Sequence, residues 1–157
     1  CKQLTDGNTN GAIKNYFYES GQCQESGRDQ QHVQMGLAFL ACAAEIAWNQ
    51  DIDLYGAFDN RLYKGFEYTA RYMSGEEVPH VQYITWFGKP VYGPEISSKQ
   101  REKICPAGER AYHHYHDRKG MDMPYTRKMI QKSRPEGTDN QSFMPWASLT
   151  SVGFPAR

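Results

Sequence analysis

The sequence predicts a mainly α protein of helical hairpins joined by long irregular loops. Three observations carry that prediction. Residues 28–49 hold a long apolar run, residues 53–73 repeat apolar side chains at helical spacing, and two shorter helical segments follow at 106–118 and 124–133. At 157 residues the chain is long enough for one ordinary domain with its own core. It shows no internal repeat and no low-complexity tract.

Residues 1–27 read as irregular, with "DGNTNG" and two copies of "ESG" as turn signals. In the first long helix, Met35, Leu37, Phe39, Leu40, Cys42, Ile46 and Trp48 leave almost no polar face from Met35 onward, so burial is expected. The second helix is amphipathic. Leu54, Phe58, Leu62, Phe66 and Thr69 share one side, and Asn60, Arg61, Lys64, Glu67 and Arg71 fall largely on the other. Residues 74–104 mix three prolines and three glycines with β-branched and aromatic residues. This reads as a long excursion with room for a short hairpin, and loops of such length are often functional. Pro106 suits the first turn of the third helix. "PYTRKMIQKS" at 124–133 is a fourth, short helix, and the tail from Pro135 is irregular.

Eighteen acidic residues balance eighteen basic ones, so no global field draws the chain to nucleic acid or to an acidic membrane. Attraction to a charged ligand must be local. No apolar run reaches the roughly eighteen residues a bilayer span requires. The chain opens "CKQLTDGN", without Met or leader, which is the expectation for a processed or trimmed product with further sequence upstream. Cys1, Cys23, Cys42 and Cys105 have no CxxC spacing, which argues against zinc and thioredoxin-type chemistry. Cys42 is expected as a buried thiol. Cys1 and Cys23, in loop-like sequence, are expected to form a disulfide in a secreted protein. The sequon at Asn140 fits secretion and glycosylation.

The most informative stretch is "ESGRDQQH", residues 25–32, at the mouth of the apolar helix. On a helix Arg28 and His32 share one face, in the first turn, where backbone N–H groups are free and the dipole is positive. Together they make a carboxylate receptor. Asp29 reads as a cap or dipole partner, and Gln30, Gln31 and Gln34 add neutral donors. A purely structural account pairs Arg28 with Glu25 or Asp29 and makes His32 an ordinary helix residue. In the second polar cluster, "YHHYHD" at 112–117, His113 and His116 lie three apart with no acidic partner clearly placed. That reads as a helix with histidines on its exposed side rather than as a metal site. Trp86 in the long loop could stack on a sugar or plug the loop onto the helices.

The run "GQCQESGRDQQHVQMGLAFLACAAEIAWNQDIDLYGAFDNRLYKGFEYTARY" resembles the alginate-lyase-like polysaccharide lyases, the superfamily of alginate and glucuronan lyases. The resemblance is strong over residues 15–73 and weaker over 118–137, and G-Q-x-x-E-S-G-R-D-Q-x-H is its most specific part. It implies an (α/α) toroid and cleavage of a uronic-acid polysaccharide by β-elimination, with no metal and no organic cofactor. Arg28 matches a motif arginine that neutralises the substrate carboxylate. His32 falls about where better-known members carry a catalytic tyrosine, so base, acid or carboxylate ligand are its possible roles. Glu25, Gln31, Arg61 and Trp86 are the expected substrate contacts.

The family also places an Asn/His element on an earlier inner helix, which these residues lack. Residues 1–157 are therefore expected to be the C-terminal part of an incomplete toroid, completed by a second chain or by a segment of the same precursor. Uncovered, the apolar helix would cost roughly 25 cal/mol per Å² of exposed apolar surface. The alternative function is a non-catalytic protein that binds acidic polysaccharide.

Overall fold

The computed structural model describes residues 11–85, 87–136 and 146–151. They are mainly helical, with no strand among them and two isolated antiparallel bridges, Phe17 with Cys23 and Ile84 with Pro90. The order is α1 (Ile13–Tyr16), a 3-10 turn (Gln24–Gly27), α2 (Gln30–Trp48), α3 (Ala57–Met73), α4 (Glu109–Tyr112) running on into a π-helical stretch (His113–Arg118), α5 (Pro124–Ser133) and α6 (Ala147–Thr150). α3 packs on α1, α2 and α5, and α4 packs on α2. Ile13, Phe17, Val33, Leu37, Leu62, Phe66, Tyr115, Met123 and Ile130 meet in one core.

The buried side of α2 follows helical spacing through Gln30, Val33, Gln34, Leu37, Ala41 and Ala44. The opposite side corrects the expectation of all-round burial. Phe39 is 44% and Ile46 57% exposed, and Met35 and the free thiol Cys42 are only half-buried. Met35 packs against Ala38, Cys105 and Ala107, while Phe39 and Ile46 stay open.

α3 starts at Ala57 rather than at residue 53. Asp53 Oδ1 accepts the Gly56 N–H at 2.8 Å, closing a turn, and Tyr55 is drawn inward to donate to Ala41 O and the Glu45 carboxylate. Phe58, Asp59 and Asn60 then take left-handed backbone, with φ of +52°, +57° and +53°, before the regular helix begins. Left-handed backbone costs roughly 1–2 kcal/mol per residue. Asp59 and Asn60 tolerate it better than Phe58, whose ring packs against the core.

The third helix starts at Glu109, not Pro106. Cys105 N–H is held by the Gln34 side chain and Ala107 N–H folds back onto Cys105 O, so residues 105–107 form a tight turn. Beyond Tyr112 the helix widens into its π stretch, and His113 and His114 are buried at 6% and 0% exposure, contrary to the expected exposed face. His114 stacks on Tyr55 with ring centres 3.8 Å apart, and Arg118 beside it makes a bidentate pair with Glu45 at 2.7 and 2.9 Å. α5 spans 124–133 as predicted, with Pro124 at its first turn.

Candidate functional site

The segment from Gly21 to His32 is shaped by its own sequence and then fixed by the long excursion laid across it. Gly21 has φ +88°, and a Cβ there would lie 2.2 Å from Lys64 O, so only glycine fits. Cys23 Sγ accepts the Glu25 N–H at 3.4 Å, which opens the 3-10 turn. Asp29, in extended backbone, caps α2 by accepting the His32 N–H at 2.9 Å.

Three buried glutamines hold the excursion. Gln22 exchanges two hydrogen bonds with the Val81 backbone. Gln30 donates to Ser97 O at 2.8 Å. Gln34 donates to Lys103 O and accepts from Cys105 N–H. Ser97 N–H bonds Ser26 O, and Gln30 N–H bonds Lys99 O. Gly27 lies under Tyr92, where a Cβ would come within 2.8 Å of the tyrosine's own Cβ.

The excursion thereby delivers Tyr92 to the charged residues. Its hydroxyl lies 3.1 Å from both Glu25 carboxylate oxygens. Glu25 also receives Arg28 Nη1 at 3.1 Å, and Arg28 Nε lies 3.9 Å from Asp29 Oδ2. Asp29 in turn holds His32 Nδ1 at 2.7 Å. Four side chains thus form an unbroken sequence from Glu25 through Arg28 and Asp29 to His32. The Arg28 and His32 side chains remain 45% and 34% exposed, while that of Asp29 is 5% exposed.

Burial pushes the Asp29 carboxyl up, but hydrogen bonds from the His32 N–H and imidazole and the nearby Arg28 charge outweigh it, and the net shift is downward. Asp29 is therefore ionised at neutral pH and can only accept hydrogen bonds. His32 must carry a proton on Nδ1, which leaves Nε2 free to accept one when the ring is neutral. Burial first, then Glu25, keeps the Tyr92 phenol above its ordinary value, so it stays protonated.

Two of the amides expected to be free at the helix start are already engaged. Gln30 N–H goes to Lys99 O and His32 N–H to Asp29. Gln31 is half-buried and accepts a hydrogen bond from Gln100 at 2.7 Å. Arg61 stands apart from this group. Its Nη1 donates to Phe17 O at 2.8 Å, its Nη2 lies 3.8 Å from Glu19, and its side chain is 11% exposed.

Trp86, Asn140 and Cys1 lie outside the described residues. The expected Cys1–Cys23 bridge is not formed at Cys23, whose thiol is free, 0% exposed and already used as the acceptor for Glu25. Burial pushes that thiol up to about 12, so it does not ionise at neutral pH. No cluster of three His, Cys, Asp or Glu suited to a metal occurs among the described residues, and no described helix is long and apolar enough to cross a membrane.

Two members of the group were not assigned their part by sequence. Tyr92 gave no local signal, because its partners lie 67 positions away. For Asp29 the sequence suggests a cap, a dipole partner or a partner of Arg28, but not the contact with the His32 ring, although His at i+3 from an N-cap Asp is within reach of it.

The family model for alginate lyase matches residues 2–79, the N-terminal part of the chain that contains this segment. No curated protein and no solved structure matches.

Proposed function

We propose, from the premise that this chain belongs to the alginate-lyase-like superfamily through residues 2–79, that it carries part of a lyase site cleaving a uronic-acid polysaccharide of glucuronan or alginate type. One observation carries the assignment to residues. In the motif, Gly21, Gln22, Ser26, Gly27 and Gln30 are consumed by turns and by the excursion, while Arg28 and His32 keep solvent-facing side chains joined through Asp29.

The chemistry follows from those groups. The proton next to a uronate carboxylate is removed only if the charge that builds up on that carboxylate is stabilised. Arg28 supplies the cation at its exposed edge. His32 Nε2, freed by the Nδ1–Asp29 contact, takes the proton. The electron pair left on carbon forms the double bond as the glycosidic C–O bond breaks, and the departing oxygen needs a proton. Tyr92, neutral and standing on the same Glu25–Arg28 pair, is its donor in this scheme.

The exposed stripe of Phe39 and Ile46 on α2 supports the further proposal that more protein from the same precursor covers this face and completes the toroid. Secretion and glycosylation at Asn140 belong to the same proposal. The second reading, a binder of acidic polysaccharide without turnover, draws on the pairing of Arg28 with Glu25, which already neutralises the cation.

Incubation with glucuronan and alginate, followed by ultraviolet absorbance of the unsaturated sugar end, separates the two. The lyase reading expects absorbance to rise with time. Retention on the polymer with flat absorbance would overturn it in favour of the binder.

A further inference from the structure

A groove of about 410 Å³ lies on the outer side of α3, lined by Ser20, Tyr63, Lys64, Tyr68, Arg71 and Tyr125 among others. None of its walls is a residue of the Glu25–His32 segment. Its volume falls in the range of small-ligand sites. Three phenol rings and two prolines, Pro79 and Pro124, give it flat apolar walls.

The polar groups there are arranged asymmetrically. Glu67, the one carboxylate in the wall, accepts the Tyr125 and Thr126 N–H groups at 3.2 and 2.9 Å and so caps α5 from another helix. Its charge is spent on those amides and on the positive end of that helix. The Tyr63 and Tyr68 hydroxyls are engaged by Asp122 O and Pro79 O, leaving their rings as walls. Lys64 and Arg71 remain as the cations. Their partners, Asp59 and Glu76, are exposed carboxylates at 85% and 45% side-chain accessibility, and pairs of that kind exchange readily with solvent and ligands. Arg71 also lies over the Tyr125 ring, 5.9 Å from its centre.

We propose that this groove is a second carbohydrate site, taking an acidic sugar residue of a polyuronate chain against the tyrosine faces with its carboxylate on Lys64 and Arg71. It rests on the polyuronate reading for its ligand and stands on different residues. Such a site would hold a polymer while its cleavable bond lies elsewhere, raising the local concentration of chain ends and mid-chain segments at the protein.

The test is an amide NMR titration of the full chain with a glucuronate trisaccharide, a mannuronate trisaccharide and neutral cellotriose. The double variant Lys64→Gln/Arg71→Gln and the single variant Tyr125→Leu are run beside the wild type. The expected result is saturable shifts at Lys64, Arg71 and Tyr125 with a uronate trisaccharide and at least tenfold weaker binding in the double variant. Turnover of short substrate should be unchanged. Shifts confined to residues near Arg28, equal binding of cellotriose, or unchanged affinity in both variants would overturn the proposal. Absence of turnover together with saturable, cation-dependent shifts in the groove would sink the lyase reading and leave this site standing.

Discussion

The Asp29 carboxylate holds His32 twice, through its backbone N–H at 2.9 Å and through imidazole Nδ1 at 2.7 Å. One side chain both starts the helix and fixes the imidazole tautomer. The two roles separate by substitution. Asp29→Asn keeps a good cap and loses the obligatory acceptor, so stability should change little while turnover falls by roughly tenfold to a thousandfold, as expected when a base loses its tautomer control. Asp29→Ala should lose about 1 kcal/mol of stability as well. Urea unfolding and lyase rates on the same preparations check both numbers. Equal rates for wild type and Asp29→Asn would mean that the carboxylate acts only as a cap.

The two buried histidines of the π stretch predict a stability profile with opposite slopes on its two sides. His114 is pushed down to about 4, first by burial and then by Arg118. An unfolded histidine titrates near 6.5, so the His114 contribution is fully present above that pH and is lost as pH falls toward 4. The amount is on the order of a few kcal/mol. His113 is raised, foremost by its hydrogen bond with Glu109, against burial and with help from Asp117. Its contribution is therefore present below about 6.5 and is lost as pH rises through its raised value. Urea unfolding across pH should show the acid-side slope flattened in His114→Phe and the alkaline-side slope flattened in His113→Gln. Unchanged slopes would remove these residues as the cause.

Gly27→Ala should detach Tyr92 from Glu25 without breaking α2. The new Cβ would come within 2.8 Å of Tyr92 Cβ, and the loop rather than the helix should yield. Hydrogen exchange should then accelerate at Ser97, whose N–H bonds Ser26 O beside the clash, and stay slow within α2. Exchange that stays slow at Ser97 would show that the excursion is held independently of Tyr92.

The apolar stripe on α2 predicts association. Phe39 and Ile46 lie seven residues apart, two helical turns, and are 44% and 57% exposed. Light scattering should find the native particle larger than one chain, and Phe39→Lys/Ile46→Glu should return it to a monomer with its unfolding midpoint nearly unchanged. A wild type that is already a stable monomer would sink the idea that this face is covered.

Helical hairpins were legible because periodicity reports burial directly, and 124–133 was placed to the residue. The start of α3 was not, because Asp53 and Tyr55 divert the backbone through contacts three residues and one element away, which apolar spacing cannot register. The buried histidines were missed for a related reason. His113 pairs with Glu109 and Asp117 at i−4 and i+4, a spacing visible in sequence, but His114 is buried by Trp48 and Tyr55, which lie at the end of α2 and just before α3. At the site, Arg28 and His32 were legible because they share a short motif. Their connection through Asp29 follows from cap geometry, and Tyr92 arrives through a fold-level crossing with no local signal.

In the proposed lyase, Arg28 and His32 receive a uronate carboxylate and move its neighbouring proton. The most direct test is the initial rate of ultraviolet absorbance at the unsaturated sugar end, per folded molecule, for wild type, Arg28→Lys and His32→Ala on glucuronan and alginate. Arg28→Lys keeps the charge and loses the planar fork. Its rate should fall by about tenfold or more, each tenfold being about 1.4 kcal/mol of barrier. The rate of His32→Ala should fall by roughly two to four orders of magnitude. Near-wild-type rates in both variants would contradict the account and make this helix start a structural feature alone.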